Sequence, residues 1–380
     1  MKKRYKIFFI IFCSLFVLGT LYYVSLSNRH QAIIKTHLLH SLHIIDSEWS
    51  KNTSSNNIQL TSPSFLIDNI YKSMEGPKAS TYFTLAPEKD ELNWMTGYTI
   101  KAINSKNNKL LSNDLVCHFN IDYQDQEHYG KWNLLERVNK QYPRLLSLSH
   151  GIENINFPKG FGYPFFSNEK FFITTQALNH NIIDSTFDIK HEINIKYTAK
   201  KILKPLYPKT IYMMLPFNMD VIDKPFNQIP ENSCIPVETK NHTYFNKAGE
   251  TLSGHWKVFK VEKKYTYDTT EQLAIQDTVT VHQIVPHLHP FAKKFTLKDK
   301  TDNSIIYTCD VINHKTKIGL TSTPSFSSEK GIIMYPTHEY ELELITNNTL
   351  DEPQDMMASM FLFFYDKELD LKIKKYNHEN

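Results

Sequence analysis

The stretch Phe187–Tyr197 reads FDIKHEINIKY, and its apolar and polar residues alternate without a break. Ile189 and Ile193 fall on one face together with His191, whereas Lys190 falls on the other face. Because successive side chains of a strand point to opposite faces, this pattern predicts an antiparallel strand with one face in a core. Buried polar groups are usually hydrogen-bonded, so we expect His191 to be a core residue rather than a metal ligand.

The same period of two recurs from about residue 78 onward. It is seen in GYTIKAI (97–103), DLVCHFNIDY (114–123) and SIIYTCDVI (304–312), and a further strand, almost continuously apolar, is predicted at MMASMFLFFYD (356–366). Many short strands separated by turn residues are typical of sandwiches and jelly rolls. The predicted fold class is therefore mainly β, with two antiparallel β-sandwich (jelly-roll-like) domains in tandem behind an N-terminal transmembrane helix.

A basic segment with two prolines, TAKKILKPLYPKT (198–210), interrupts the alternation and is expected to contain the domain boundary. Length supports this division, because 380 residues suit two domains better than one. The predicted units are a membrane anchor or signal segment (1–27), a stalk (28–77), a first sandwich (78–200), a second sandwich (201–368) and a tail (369–380).

The N-terminus carries a membrane signal. MKKRYK contains four positive side chains, and no charge follows from Ile7 to Leu26. About 20 apolar residues match a membrane-spanning helix, and the positive charges favour a cytoplasmic N-terminus. The alternative is a cleaved signal peptide, for which Ser25 and Ser27 are small enough. Either interpretation predicts an exported body, periplasmic or extracellular, that is membrane-anchored or, after cleavage, secreted.

The charge balance bears on nucleic acid as a partner, and the cysteine content bears on disulfide pairing. With 43 Lys and Arg against 40 Asp and Glu, nothing points to nucleic acid as a partner. Cys117, Cys234 and Cys309 lie beyond the apolar segment, and an oxidising compartment would pair two of them or link one to another chain. Because Cys234 and Cys309 fall in the same half, they are the expected disulfide.

The stretch VTVHQIVPHLHPFAKKFTL (279–297) raises the question of function. If it is one strand, His287 and His289 share a face with Phe295 and Leu297, where an imidazole must form a hydrogen bond, ligate a metal or cost stability. Met357 follows later in an aromatic-rich strand, and a thioether beside two imidazoles favours copper. The alternative is that this methionine is simply core in a strand apolar on both faces.

The order of VCHF, LNHN, HLH and MASMFLFFY over about residues 78–368 resembles the copper type II, ascorbate-dependent monooxygenases, the group of peptidylglycine hydroxylating monooxygenase and dopamine β-hydroxylase. The resemblance implies one copper in each sandwich. For the second-domain copper it implies His287, His289 and Met357 as ligands, and for the first-domain copper His118, His180 and Cys117. His282 is a possible second-shell residue or alternative ligand.

The first site departs from the family pattern, because Cys117 stands where a histidine is expected and points away from His118 in a regular strand. Cys117 is equally readable as a core or disulfide residue. Two interpretations therefore stay open. One is an exported copper monooxygenase that hydroxylates an aliphatic C–H bond with O₂ and ascorbate or another reductant. The other is a non-catalytic copper-binding or structural protein; a third, weaker one is a sandwich without metal. The sequence identifies no catalytic residue and no small-molecule substrate.

Overall fold

The protein is described by a computed structural model that covers residues 2–199, 203–221, 228–230, 232–239 and 242–379. The predicted domain boundary between residues 200 and 201 lies outside the described residues. The other predicted boundaries stay predictions.

The helices are few and mostly peripheral. They are α1 (Lys2–Ser25), α2 (Asn28–Ser41), α3 (Asp125–Lys131), α4 (Thr270–Leu273) and α5 (Lys367–Glu379). Within α1, Tyr5–Ser25 is long and apolar enough to cross a membrane, and none of its most apolar window is buried by the rest of the chain. The predicted N-terminal apolar helix is therefore present.

Most of the remaining chain is β-strand. The first thirteen strands are β1 (Ser50–Thr53), β2 (Asn57–Thr61), β3 (Phe65–Ile67), β4 (Lys78–Phe83), β5 (Leu92–Asn104), β6 (Val116–Tyr123), β7 (Arg144–Leu148), β8 (Asn154–Asn156), β9 (Phe161–Phe166), β10 (Phe171–Ala177), β11 (Phe187–Thr198), β12 (Lys204–Tyr212) and β13 (Leu215–Pro216). The others are β14 (Thr243–Phe245), β15 (Thr251–Ser253), β16 (Trp256–Val258), β17 (Glu262–Asp268), β18 (Val279–Leu288), β19 (Ala292–Asp299), β20 (Ser304–Asp310), β21 (Ile312–Asn313), β22 (Leu320–Ser322), β23 (Phe326–Met334), β24 (Tyr340–Asn347), β25 (Gln354–Met356) and β26 (Ala358–Tyr365). The mainly β class is confirmed.

One long sheet runs through both halves of the chain, in the order β1-β2-β11-β5-β9-β12-β26-β18-β23. The alternating stretch that predicted the fold is β11, which pairs antiparallel with β5 so that Ile193 lies opposite Ile100. A four-stranded sheet, β4-β10-β6-β7, lies in the first half. Another, β17-β24-β19-β20, lies in the second half.

The apolar side chains form two separate cores, and β26 is shared between them. Phe361 and Phe363 belong to the first core, whereas Met360, Leu362 and Phe364 belong to the second. The sequence of this strand is continuously apolar because both of its faces are buried. On the neighbouring β18, Val285 is the residue whose side chain joins the first core.

The residues predicted as a stalk, 28–77, carry α2 and β1–β3. β2 and β3 both pair with β11 in the long sheet. α2 is tied to the same region by Lys35, whose ammonium donates to both carboxylate oxygens of Asp68 at 2.6 and 2.7 Å. The chain is thus packed onto the sheet soon after the apolar helix.

The expected disulfide is absent from the described residues. Cys234 and Cys309 are both buried and carry free thiols, as do Cys13 and Cys117. Cys234 and Cys309 both pack in the second core, as small apolar side chains commonly do. The prediction of a Cys234–Cys309 bond is wrong because belonging to the same half does not bring two sulfur atoms into bonding geometry.

Candidate metal-binding site

The histidine-bearing stretch 279–297 is two strands rather than one. β18 ends at Leu288, and the chain turns through Phe291, whose φ of 73° lies in the left-handed region. The following strand, β19, belongs to a different sheet. The expectation that His289 and Phe295 share one strand face is therefore wrong, and His289 lies in the turn between the sheets.

His287 and His289 both project toward the first half of the protein. His287, within β18, shares the strand parity of Val285, which lies in the first core. The ring centroids of His287 and His289 are 5.9 Å apart, and the rings are nearly perpendicular, at 78°. The first-half residue that receives them is Ser73, whose Oγ lies 3.1 Å from Nε2 of His289.

The hydrogen bonds of His289 define its protonation. Its Nδ1 lies 3.2 Å from the backbone carbonyl of Asp355, and a carbonyl can only accept, so Nδ1 carries the hydrogen. The lone pair of Nε2 therefore accepts from the Ser73 hydroxyl. Burial lowers the pKa of His289 well below its usual value, with His255 and His287 adding to the effect. A neutral imidazole fixed by a backbone carbonyl at one nitrogen is the form that ligates metals through the other.

His287 keeps an unsatisfied nitrogen, since its buried Nδ1 has no hydrogen-bond partner. Its strand partner is Ser359, and Leu288 pairs with Ala358. The pairing ends there, so His289 and Met357 both lie just outside it. Met357 is half-buried between β25 and β26, whereas Met356 is fully buried within β25. The assignment of Met357 as a ligand stays a prediction.

The residues predicted for a separate first-domain site lie beside this same region. Cys117 and His118 are adjacent in β6, and both are buried. The Cys117 sulfur lies 3.9 Å from Oγ of Ser73, the hydroxyl that also contacts His289. Burial raises the pKa of the Cys117 thiol, so the thiolate form is disfavoured. Burial also lowers the pKa of His118, and the nearby charge of His287 lowers it further.

His180 is the third residue predicted for the first site. It is half-buried, and its Nε2 is buried without a hydrogen-bond partner. Together with Ser73 and His289 it lines a small cavity of about 10 Å³. The structure therefore brings residues predicted for two separate coppers into one region where the two halves meet, but among the described residues no three of their His and Cys ligand atoms lie within 4.8 Å of one another.

His150 was missed by the sequence analysis. Its Nδ1 donates to the carbonyl of Val116 at 3.2 Å, and its buried Nε2 has no partner. Burial lowers the pKa of His150 to about 4, and its charge in turn lowers the pKa values of His180 and His287. The only local signal was SHG, in which the following Gly151 adopts a φ of 89°.

We use the name histidine cluster for His118, His150, His180, His287 and His289. Burial is the largest cause that keeps each of these imidazoles neutral near pH 7. His282, the proposed second-shell residue, has other neighbours: its Nδ1 donates to the carbonyl of Ser328 at 2.9 Å, and its ring lies 4.0 Å from that of Phe161. A second-shell role for His282 stays a prediction.

A larger cleft of about 850 Å³ has a different lining. It lies between α3, the α4–β18 connection and the start of α5, with Tyr129, Arg137 and Tyr207 among its lining residues. Arg137 donates to the carboxylates of Asp366 and Glu368 there. No residue of the histidine cluster lines this cleft.

Comparison with known proteins gives a structural likeness only. No protein-family model matches the sequence, and no curated protein matches it. The fold is similar to PNGase F, a glycosylasparaginase from Flavobacterium meningosepticum, with 9% identity and a TM-score of 0.31 over 82% of this chain and 96% of that one. It is also similar to a peptide-N(4)-(N-acetyl-β-D-glucosaminyl) asparagine amidase (9%, TM-score 0.31, 80% and 96% covered) and to PNGF-II (11%, TM-score 0.28, 84% and 63% covered). At these values the likeness assigns no activity to this chain.

The predicted resemblance to copper type II monooxygenases is wrong. The sequence fits no family model, including that of the monooxygenases, and the structures reported above as similar are PNGase F, a peptide-N(4)-(N-acetyl-β-D-glucosaminyl) asparagine amidase and PNGF-II. The predicted functions, a copper monooxygenase or a non-catalytic copper-binding relative of one, are corrected with it. The physical reason is that H-x-H and a nearby methionine are short patterns that a histidine-rich chain forms by chance. Metal binding by these histidines, and the involvement of copper and a reductant, are separate calls that stay predictions.

Proposed function

We propose that the protein binds a divalent transition-metal ion at the histidine cluster, where its two halves meet. The observation that carries this proposal is the set of buried ring nitrogens without hydrogen-bond partners on His150, His180 and His287. An unpaired buried polar atom costs about 1–3 kcal/mol. Three in one region are far from the usual pairing of buried groups, and each such group calls for a physical explanation.

Metal coordination would account for these nitrogens, and two features of the histidines support it. The imidazoles are already neutral, the protonation state that ligation needs. The opposite nitrogens of His150 and His289 are fixed by the carbonyls of Val116 and Asp355, which is how ligating histidines are commonly oriented. Imidazole ligands suit zinc and its neighbours in the first transition row.

The setting proposed for this site is an exported protein with two tandem sandwich units. Two separate cores support the tandem arrangement, although the long sheet is shared by both. The apolar helix α1 and its basic flank support export and attachment to a membrane. Retention of α1 as an anchor is favoured over cleavage by the length of its apolar run.

Zinc titration of the full chain in mild detergent, after removal of metals with a chelator, tests the proposal. We expect the unmodified protein to retain Zn²⁺ through gel filtration. His289→Ala and His150→Asn should each weaken Zn²⁺ binding at the cluster by at least about 10-fold. Asn at position 150 keeps an N–H for the Val116 carbonyl, so it removes the free nitrogen with little other change. His378→Ala, at an exposed residue of α5, is the matched control and should bind Zn²⁺ as the unmodified protein does.

Unchanged zinc affinity in both cluster variants would overturn the proposal. The histidines would then be packing residues of a metal-free sandwich. Far-UV circular dichroism of each variant separates lost binding from lost folding.

A further inference from the structure

A second group of possible ligands lies outside the histidine cluster, at the open end of the β14–β15 hairpin. Thr243 pairs with Ser253 at this end, so His242 and His255 leave the hairpin side by side. A neighbouring segment runs along His255, with the backbone N–H of Val237 donating to its carbonyl at 3.0 Å. This pairing places Glu238 next to both histidines.

The three side chains converge on one point. One ligand atom from each of Glu238, His242 and His255 lies within 4.8 Å of the other two. Oε1 of Glu238 is 3.7 Å from Nε2 of His242, and the two imidazole centroids are 5.6 Å apart. Bonds of about 2.1 Å to a tetrahedral ion would set the ligand atoms about 3.4 Å apart. Small side-chain movements would therefore close the site.

His255 gives evidence for a bound ion that is independent of the convergence of the three side chains. Only 3% of this residue is exposed, and neither ring nitrogen has a hydrogen-bond partner in the part of the chain that the structure describes. A neutral imidazole has one donor and one acceptor, so this residue leaves both unsatisfied. Nε2 lies 3.9 Å from Oδ2 of Asp355, close enough for that carboxylate to become its partner after a small shift. One nitrogen on an ion and the other on a carboxylate is a recurrent arrangement of metal-bound histidine.

We propose that Glu238, His242 and His255 form a second metal site, which takes Zn²⁺ or a similar divalent ion. Two imidazoles and one carboxylate are a donor set that proteins use for zinc with a position left open. The proposal does not depend on the histidine cluster, because none of the three ligands belongs to it. The two sites are nevertheless adjacent, since the rings of His255 and His289 are 5.9 Å apart.

A network of ion pairs without metal is the alternative to be tested. Nη1 of Arg29, in α2, lies 3.9 Å from Oε1 of Glu238, so the carboxylate has a cation nearby already. In that alternative His242 and Glu238 pair with each other and with Arg29. It leaves the two nitrogens of His255 without an explanation.

The test counts Zn²⁺ bound per full chain in mild detergent, with two variants at half-buried positions that are expected to fold. Glu238→Gln keeps the shape of the side chain and removes its charge. His242→Asn suits the left-handed backbone at this residue, whose φ is 78°. We expect the unmodified protein to bind two ions and each variant to weaken one of them by at least about 100-fold. Co²⁺ in place of Zn²⁺ adds a visible spectrum whose intensity reports a low-coordinate site, and each variant should lose one site's share of it.

The outcomes separate this inference from the proposed function. Loss of one ion in His242→Asn and of a different ion in His289→Ala, with both lost in the double variant, supports both sites. Full binding in His242→Asn and Glu238→Gln overturns this inference and leaves the histidine cluster unaffected. Full binding in both His289→Ala and His150→Asn, with loss in His242→Asn, overturns the proposed function only. His37→Ala, at an exposed residue of α2, is the control.

Discussion

His191 provides a measurable link between pH and stability outside both proposed sites. This residue of β11 is fully buried, with its ring edge-on to Phe65 at 5.4 Å. Its Nε2 donates to the carbonyl of Leu115 at 3.3 Å, and its Nδ1 lies 2.6 Å from the hydroxyl of Thr175. The expectation of a hydrogen-bonded core histidine is confirmed. Burial lowers the pKa of His191 to about 4.

The sign of the effect follows from where the proton binds. The ordinary pKa of histidine is about 6.5, so below that pH the unfolded chain takes up a proton that the folded His191 refuses until about pH 4. The contribution is therefore fully present above pH 6.5 and is lost as the pH falls. Between pH 7 and pH 5 the loss in the free energy of unfolding is about 2 kcal/mol, and by pH 4 it approaches about 3 kcal/mol.

Urea unfolding of the full chain at pH 7 and pH 5, followed by tryptophan fluorescence in mild detergent with chelator present, measures this loss. Other groups titrate in the same range, so the informative quantity is the difference between the unmodified protein and His191→Gln. We expect the unmodified protein to lose about 2 kcal/mol more than the variant between the two pH values. His378→Gln, which changes an exposed histidine, should follow the unmodified protein. Equal pH dependence in the unmodified protein and His191→Gln would refute the reasoning.

Three further outcomes are expected. Arg137→Met leaves the carboxylate of Asp366, which is 2% exposed, without its guanidinium partner, so it should lower the free energy of unfolding, measured in urea, by about 3 kcal/mol. Glu368→Gln, at the exposed partner, should lower it by less than about 1 kcal/mol. Equal losses in the two variants would contradict this. All four cysteines should react with a thiol reagent in denaturant without reductant; two reactive thiols would mean that a disulfide exists after all. Gly331→Ala, at a φ of 72°, puts a Cβ 2.5 Å from a side-chain atom of β18, whereas Gly249→Ala, at a φ of 80°, meets nothing within 4 Å. In thermal unfolding, Gly331→Ala should be less stable than Gly249→Ala by at least about 1 kcal/mol. Similar midpoints would argue against the close approach at Gly331.

The strands were predictable from the sequence where one face is buried and the other is exposed to solvent. FDIKHEINIKY became β11. The signal is local, because alternation acts within a few positions. The strand MASMFLFFY was also recognisable, and its lack of alternation now has a cause: β26 has one core on each face.

The pairing of strands was not predictable in the same way. The prediction of two separate sandwiches did not anticipate that β12, β26 and β18 continue the sheet begun by β5 and β9. The break after Leu288 was also missed, because the left-handed backbone at Phe291 is unusual for a bulky residue and has no sequence signature. Such features depend on contacts between distant segments, which a single sequence does not encode locally.

The candidate site was found in part. His287 and His289 attracted attention because two imidazoles shared an apolar pattern, and burial of His289 agrees with that reasoning. His150 and His255 were missed because each is a lone histidine beside a glycine, in SHG and SGH. What makes them notable is that Nε2 of His150 and both ring nitrogens of His255 lack hydrogen-bond partners among the described residues, a property that no spacing rule can reveal.

The histidine cluster takes residues from both halves of the chain, so metal binding there would affect the stability of both. His150 and Ser73 come from the first half and His287 and His289 from the second, so an ion held by both would bind only when the two halves are correctly packed. A ligand that binds only the folded state adds RT ln(1 + [L]/Kd), or about 2.7 kcal/mol at 100 times Kd. Because β26 is shared by the two cores, that gain would stabilise both cores together rather than one of them. In Glu238→Gln, which leaves the histidine cluster as the proposed zinc site, zinc should therefore raise the unfolding midpoint in one cooperative step, and a transition that separates into two would contradict an ion held by both halves.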